Sequence, residues 1–329
     1  MNGTLVKRRS IVRILRMFSS TLFVGLTLCL ASVPAHATFP GQNGKIVFTA
    51  NPTGTWQMYT INADGTGMTR ITNLPPTTNE LWVPSFSPDG KKIAFCHDMT
   101  GAPEIYTINA DGSGLTQMTF DNLFDCAPRW SPDGTRIAFA RLDPSSLQTV
   151  IGTMPADGTG SITDLTSKIW SAFWPTYTPD GSQITFVSTQ AGFISVVWIM
   201  NSDGKHQRRL TQATLEGFPA DVSPDGEHIL VVNHESTPIT PNQIFRMNLN
   251  GTDLDRLTNP GKGHVDLPGT YSPDGTKIVF PSDRLSGNQS LDLFVMNADG
   301  SGIHRIASGL TVGGCPDGNC VTPSWGPKP

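Results

Sequence analysis

SPDGKKIAF, at residues 87–95, combines a tight turn with the start of a β-strand. Proline presets φ at the second turn position, aspartate hydrogen-bonds the backbone, and glycine takes the left-handed conformation. The turn recurs at residues 131–134, 178–181, 223–226 and 272–275, so that successive copies lie 44 to 49 residues apart. A sixth, degenerate copy lies at residues 40–44. Spacings of this length are typical of four-stranded propeller blades.

Each repeat predicts four short strands. The first ends in an aromatic or apolar residue just before the turn: Phe86, Trp130, Tyr177, Val222, Tyr271 and Trp325. The second strand follows the turn, and a variable loop leads to the third. A second turn, Asp-Gly or Asn-Gly, then leads into the fourth strand at residues 64–65, 111–112, 157–158, 203–204, 250–251 and 299–300. These dipeptides are strong hairpin signals.

We therefore predict an all-β fold, a six-bladed β-propeller of four-stranded antiparallel blades. One such blade cannot bury both of its faces alone, so the blades must stack around an axis. The sixth first strand, Val321 to Trp325, lies at the C-terminus, whereas the N-terminal blade lacks a first strand. The C-terminal strand is expected to join the N-terminal blade, which closes the ring and removes a free sheet edge.

The segment 1–37 has the pattern of a secretory signal peptide. Five basic residues precede an apolar run from Leu22 to Ala31, and Ala35-His36-Ala37 fits a cleavage site. The run is short for a membrane span, although an uncleaved anchor is the alternative reading. We expect residues 38–329 to form the propeller, with no membrane span after cleavage, in the periplasm or outside the cell.

Cleavage would leave about nine net negative charges, because the segment 1–37 holds five basic residues and no acidic one. Nucleic acid needs lysine and arginine partners for its phosphates. This charge therefore disfavours nucleic acid and anionic lipid as partners.

Four cysteines would remain in an oxidising compartment, which favours disulfides. Cys315 and Cys320 bracket a turn sequence and form the preferred pair. Cys96 with Cys126, 30 residues apart, is then the second pair. Free buried thiols are the alternative for all four.

The repeated Ser-Pro-Asp-Gly and Asn-Ala-Asp-Gly turns resemble the WD40-like PD40 repeat of the TolB family, over essentially the whole segment 38–329. The resemblance implies a TolB-like propeller, without the α/β domain that precedes the propeller in TolB itself. It implies less about activity, because this fold carries many functions.

Acidic residues stand at the entrances to four of the innermost strands: Glu80, Asp125, Glu216 and Asp266. Innermost strands line the channel, so these carboxylates are expected to ring its mouth. They would suit a basic peptide segment of a partner or, if several converge, Ca²⁺. A solvated rim with no ligand is the alternative.

His97, His234 and His264 fall in or beside variable loops and are weak candidates for a transition-metal site, as in lyases built on similar propellers. Ordinary exposed histidines are the simpler interpretation. The chain has no Gly-x-Ser-x-Gly, Cys-x-x-Cys, His-Glu-x-x-His or Walker motif.

These observations favour an exported, monomeric, non-catalytic module without a cofactor. It would bind a protein or peptide of the cell envelope through its variable-loop face and the acidic channel mouth. The alternatives are a propeller hydrolase or lyase, possibly metal-dependent, acting on a polymer or lactone, and a purely structural spacer.

Overall fold

The computed structural model describes residues 40–75, 83–189, 195–211, 217–233, 242–285, 290–311 and 322–329. Within them it has 24 strands in six sheets of four, each antiparallel throughout. The six-bladed propeller predicted from the repeat is therefore confirmed.

Blades 1 to 3 contain the following strands. Blade 1 comprises β1 (Asn43–Ala50), β2 (Gln57–Ile61), β3 (Thr69–Arg70) and β24 (Ser324–Pro327). Blade 2 comprises β4 (Ser85–Phe86), β5 (Lys92–His97), β6 (Glu104–Asn109) and β7 (Thr116–Gln117). Blade 3 comprises β8 (Asp125–Trp130), β9 (Arg136–Asp143), β10 (Gln148–Pro155) and β11 (Thr163–Asp164).

Blades 4 to 6 repeat the same order. Blade 4 comprises β12 (Ala172–Tyr177), β13 (Gln183–Ser188), β14 (Val196–Asn201) and β15 (Arg208–Arg209). Blade 5 comprises β16 (Gly217–Val222), β17 (His228–Asn233), β18 (Gln243–Asn248) and β19 (Asp255–Arg256). Blade 6 comprises β20 (Thr270–Tyr271), β21 (Lys277–Ser282), β22 (Asp292–Asn297) and β23 (His304–Ala307).

The ring closes through blade 1, as the strand count predicts. The C-terminal β24 lies antiparallel beside β1, with Trp325 opposite Ile46 and Ser324 opposite Val47. The Trp325 indole N–H donates to the carbonyl oxygen of Gly44 at 3.2 Å, and the side chain is 2% exposed. The last strand of the chain therefore completes the first blade.

Hydrophobic packing between blades forms the core. The residue that ends each first strand is buried in all six blades: Phe86, Trp130, Tyr177, Val222, Tyr271 and Trp325. Stacked aromatic pairs link the second and third strands of four blades: Phe48–Tyr59, Phe95–Tyr106, Phe186–Trp198 and Phe280–Phe294. The predicted strands therefore place their apolar side chains between the sheets, where stacking excludes water.

A threonine cap recurs in every blade and was not identified from the sequence. A threonine hydroxyl two to four residues beyond the fourth strand accepts a backbone N–H from the first half of the third strand or, in blade 6, from the residue just before it. The six threonines are Thr72, Thr119, Thr166, Thr211, Thr258 and Thr311. Each is 9% exposed or less. The cap satisfies a buried donor where the short outer strand ends.

The second turn of a repeat contacts the preceding blade. Gly204 lies at φ +84°, and a Cβ built on it would lie 2.5 Å from the carbonyl oxygen of Leu165 in blade 3. Gly251 and Gly300 approach Leu210 and Leu257 in the same way, at 2.6 and 2.7 Å. Glycine is therefore required here both for the backbone conformation and for the blade-to-blade approach.

Trp325→Ala tests the ring closure. Loss of a fully buried tryptophan should lower the free energy of unfolding by about 3–5 kcal/mol, measured by urea titration. Leu254→Ala removes a side chain that is 43% exposed and is the control, with an expected change below about 0.5 kcal/mol. Equal effects of the two substitutions would contradict the assigned role of β24.

Gly204→Ala tests the approach between blades, with Gly54→Ala as its control. Gly54 has nearly the same φ, +85°, but nothing lies within 4 Å of its Cβ position. Both variants carry the cost of a left-handed alanine, on the order of 1 kcal/mol, and only Gly204→Ala must also move a carbonyl group. We expect Gly204→Ala to have the lower melting temperature; indistinguishable melting temperatures would rule out a tight contact at this turn.

Candidate functional site

The loops fall on two faces of the propeller. Both turns within a repeat lie on one face, which we call the turn face, because the four strands alternate in direction. The loops from second to third strand, and those from one blade to the next, lie on the opposite, variable-loop face. Of the predicted site residues, those that the structure describes, Asp125, Asp266, His97 and His264, lie towards this second face.

Asp125 begins β8 and is fully buried. Its carboxylate oxygens lie within 4.8 Å of carboxylate oxygens of Glu104 and Asp121, so three acidic groups meet between blades 2 and 3. Among the described residues neither oxygen of Asp125 accepts a hydrogen bond, and Arg141 Nε lies 3.7 Å from Oδ1. Burial, and next the charge of Asp121, raise the pKa of Asp125 to about 7.

Arg141 is the cation of this cluster. It lies directly across from Asp125 in the β8–β9 register, and its guanidinium contacts Asp121 at 2.5 Å and Asp164 at 3.6 Å. Gly152 makes room for it, because a Cβ at that position would lie 2.9 Å from the Arg141 Cδ. The guanidinium therefore joins β8, β11 and the loop between blades 2 and 3.

Glu104 is held by neutral donors. It accepts the Thr119 hydroxyl at 2.5 Å and the Asn122 backbone N–H at 2.6 Å. Burial nevertheless raises the pKa of Glu104. The three acidic groups are thus a geometrically possible set of oxygen ligands, although a guanidinium already lies among them.

Asp266 has a different environment. It is fully buried and accepts two hydrogen bonds from Arg284, at 2.6 and 2.7 Å. The guanidinium also lies 5.2 Å from the ring centre of Phe280 and 5.3 Å from that of Phe294, within cation–π range. Both carboxylate oxygens of Asp266 therefore pair with one nitrogen of Arg284, Nη2, inside blade 6.

Two of the four carboxylates predicted at the channel mouth can thus be placed. Asp125 and Asp266 are each 0% exposed and lie beside an arginine of their own blade, and the structure does not bring them together. Glu80 and Glu216 lie outside the described residues. The neutralising arginines, Arg141 and Arg284, were missed because they stand at different positions in their blades. Arg141 lies within β9, and Arg284 lies two residues beyond β21.

The histidine candidates are separated in the fold. His97 ends β5 in blade 2, is buried, and has a pKa lowered by that burial. His264 lies between blades 5 and 6, with Nδ1 3.4 Å from Asp283. Neither belongs to a group of three metal-ligating side chains in the described part of the chain. His234 lies outside that part.

A disulfide joins Cys96 of β5 to Cys126 of β8, with Cα atoms 5.0 Å apart. It therefore links blade 2 to blade 3, and Cys126 follows Asp125 directly in β8. Cys315 and Cys320 lie outside the described residues.

The channel is lined by one residue from each blade that sequence reasoning did not single out. Five of them stand two residues before the first turn and pair with the third residue of the second strand: Ser85, Arg129, Thr176, Asp221 and Thr270. The sixth, Ser324 of β24, pairs with Val47, the fifth residue of β1. They border a cavity of about 50 Å³. Burial lowers the pKa of Arg129, which the charge of Asp221 partly offsets. Counting back from each turn would have found this ring.

Large apolar side chains are exposed on the variable-loop face. Phe120, Leu147, Ile169 and Leu285 are 75, 74, 72 and 64% exposed, and all four lie in its loops. On the turn face of the described chain, the large hydrophobic side chains exposed most are Met68, Leu115 and Leu254, at 40 to 43%. No periodic pattern marks the four loop residues in the sequence.

The described residues contain no helix long and apolar enough to cross a membrane.

Asp125→Asn tests the buried carboxyl through pH. A carboxyl whose pKa is raised in the folded state makes the free energy of unfolding fall as pH rises from about 4 to about 7. The uncharged side-chain amide of the Asp125→Asn variant does not ionise, so its free energy of unfolding does not fall over this pH range. The variant should therefore be more stable than the parent protein at pH 8, by about 2–4 kcal/mol, and nearly as stable as it at pH 4.

Asp266→Asn is the control for that experiment, because it breaks the ion pair with Arg284. It should destabilise the protein at pH 8 by about 3–5 kcal/mol, the opposite sign. Urea unfolding at both pH values measures each difference. Destabilisation by Asp125→Asn at pH 8 would mean that the carboxylate is stabilised by Arg141 rather than strained by burial.

Comparison with known proteins places the fold in a family. Residues 30–213 match the family described as "TolB beta propeller domain", PD40. The Tol-Pal system protein TolB of Francisella tularensis is 28% identical over 271 residues, which are 82% of this chain and 59% of that protein. The chain thus spans less than two thirds of the length of the curated relatives it matches.

Solved structures show the same architecture. TolB from Acinetobacter baumannii has a TM-score of 0.70 at 22% identity, over 88% of this chain and 68% of that one. An oligogalacturonate lyase in complex with manganese has a TM-score of 0.58 at 15% identity, over 87% and 80% of the two chains. At these identities the likeness shows the fold alone. The family match covers more than half of the sequence and agrees with the six repeats, so the chain belongs to the TolB β-propeller family.

Proposed function

We propose that this protein is an exported, non-catalytic module of the cell envelope that binds a protein or peptide partner through its variable-loop face. One observation carries the proposal: the four most exposed large apolar side chains of the described residues all lie on that face. Monomeric proteins seldom expose such side chains in groups, and interaction sites are the usual reason when they do.

Export is supported by two features. The segment 1–37 has the order of a signal peptide, with basic residues, an apolar run and a small-residue cleavage pattern. The Cys96–Cys126 disulfide suits an oxidising compartment such as the periplasm. We therefore place the mature protein, residues 38–329, in the periplasm or outside the cell.

The relatives favour an envelope partner. A TolB named as part of the Tol-Pal system matches 82% of this chain. We infer that the propeller of this protein likewise engages an envelope protein, although it spans only 59% of that relative.

The catalytic alternative requires a metal or a pair of working acid and base groups. The oxygens of Glu104, Asp121 and Asp125 are close enough to share a cation. However, Arg141 lies 2.5 Å from Asp121 and 3.7 Å from Asp125, and its charge would repel a metal ion there. Binding is therefore the better supported function.

Site-specific photo-crosslinking in living cells tests the proposal. A photoreactive amino acid is placed at Phe120 or Leu285 on the variable-loop face, and at Met68 or Leu254 on the turn face as matched exposed controls. We expect covalent adducts to one envelope protein from the first pair and none from the second. Adducts from the turn face alone, or from no position, would reject the proposed function.

A further inference from the structure

Blade 3 carries most of the exposed apolar residues of the variable-loop face, on three neighbouring loops. Phe120 lies in the loop that enters the blade, Leu147 in the loop between β9 and β10, and Ile169 in the loop that leaves it. Trp170 follows Ile169 and is 37% exposed. We call these four side chains, together with Asp121, Asp143 and Asp164, the blade-3 rim.

The loops of the rim are tied to one another. Lys168 donates to Asp143 at 2.5 Å, and Ser171 donates its hydroxyl to the Gln148 side chain at 2.8 Å, which joins the loops that carry Ile169 and Leu147. Arg141 holds Asp121, the neighbour of Phe120, at 2.5 Å. The apolar side chains are therefore presented on loops that ion pairs and hydrogen bonds hold in place.

The loop of Leu147 is ordered from within as well. One oxygen of Asp143 accepts the backbone N–H groups of Ser145 and Ser146, at 3.1 and 2.9 Å. The Leu147 N–H donates to the Asp143 carbonyl oxygen at 2.9 Å. Such a loop loses little conformational freedom on binding, which favours affinity.

The rim and the groups behind it carry an excess of negative charge. Five acidic side chains, Glu104, Asp121, Asp125, Asp143 and Asp164, share two cations, Arg141 and Lys168. The excess persists even when the buried Asp125 is protonated. The Asp121 and Asp164 side chains are 32 and 29% exposed, so a partner can reach them.

The combination of exposed apolar side chains and negative charge favours one kind of binding partner over others. An anionic lipid surface would be repelled by the carboxylates. A second copy placed symmetrically on the rim would set one acidic cluster against another, at an electrostatic cost. A segment with both apolar and basic side chains satisfies the two features together, since complementary charge guides association and buried apolar side chains anchor it.

We propose that the blade-3 rim binds a basic, apolar-flanked segment of the partner protein. Phe120, Leu147 and Ile169 contact its apolar side chains, and Asp121 and Asp164 pair with its lysine or arginine. The inference rests on the proposed function and deepens it, because it names the chemistry of the segment that the face recognises.

A random peptide library displayed on phage tests the inference without knowledge of the partner. The library is selected on protein purified from cells that express the full chain. We expect enriched peptides to combine lysine or arginine with leucine or aromatic residues. A synthetic enriched peptide should bind in calorimetry and bind at least tenfold more weakly when 150 mM salt is raised to 500 mM.

Variants assign the binding to the rim. The double substitution Leu147→Ser, Ile169→Ser should lower the affinity for the peptide at least tenfold, and so should Asp164→Asn. Leu115→Ser with Leu254→Ser, on the turn face, should leave the affinity unchanged. Circular dichroism and the melting temperature confirm that each variant is folded. If the Leu147→Ser, Ile169→Ser variant fails this check, Ile169→Ser alone replaces it.

Several outcomes would overturn the inference. They are enrichment of acidic or uncharged peptides, no enrichment, or an affinity insensitive to the rim substitutions. The purified protein is also tested for binding to anionic phosphatidylglycerol vesicles and for dimer formation in analytical ultracentrifugation. If either is observed and is lost in the Leu147→Ser, Ile169→Ser variant, the rim binds a lipid surface or a second copy of the chain instead. Crosslinks from Leu285 to an envelope protein, together with failure of these peptide tests, would leave the proposed function standing and remove only the inference about the rim.

Discussion

The pairing of β24 with β1 is the constraint on which the rest of the molecule depends. Each blade shelters its apolar side chains only against its two neighbours, so a ring with one incomplete blade would expose a core surface and a sheet edge. Trp325 and Ser324 close that gap opposite Ile46 and Val47, although the partners stand 279 and 277 positions apart in sequence. The channel ring and the order of loops around the variable-loop face are fixed only once this pairing forms.

Ring closure also explains how the protein separates stability from recognition. Stability comes from features that recur in the blades: the buried residue before each first turn, the threonine cap, and the glycine that contacts the preceding blade. The first and the last of these lie inside the sheets or on the turn face, whereas the threonine caps are buried where the sheets meet the variable-loop face. The variable-loop face is left free to differ from blade to blade, which is the usual division between a rigid scaffold and its functional loops. Blade 3 uses that freedom most, with an added disulfide, a buried acidic cluster and three exposed apolar loops.

The repeat predicted nearly the whole fold, because turn chemistry and strand alternation are local and occur six times. The site was less predictable, since it depends on contacts between residues that the repeat does not relate. Asp125 and Asp266 stand at equivalent entrances, yet Asp266 receives two hydrogen bonds from Arg284 whereas Asp125 receives none among the described residues. That difference arises because Arg141 lies within β9, directly across from Asp125, whereas Arg284 lies two residues beyond the end of β21. The exposure of Phe120 and Leu147 has no sequence pattern at all, because it depends on which loops the finished ring leaves uncovered.

Hydrogen exchange followed by mass spectrometry tests the closed ring most directly. Peptides that cover β1 and β24 of the native protein should exchange as slowly as peptides from β9 or β21, because their amides belong to one four-stranded sheet. Exchange of the β24 peptide within seconds, beside protected strands elsewhere, would show an open ring and contradict the account of the channel and of the variable-loop face built on it.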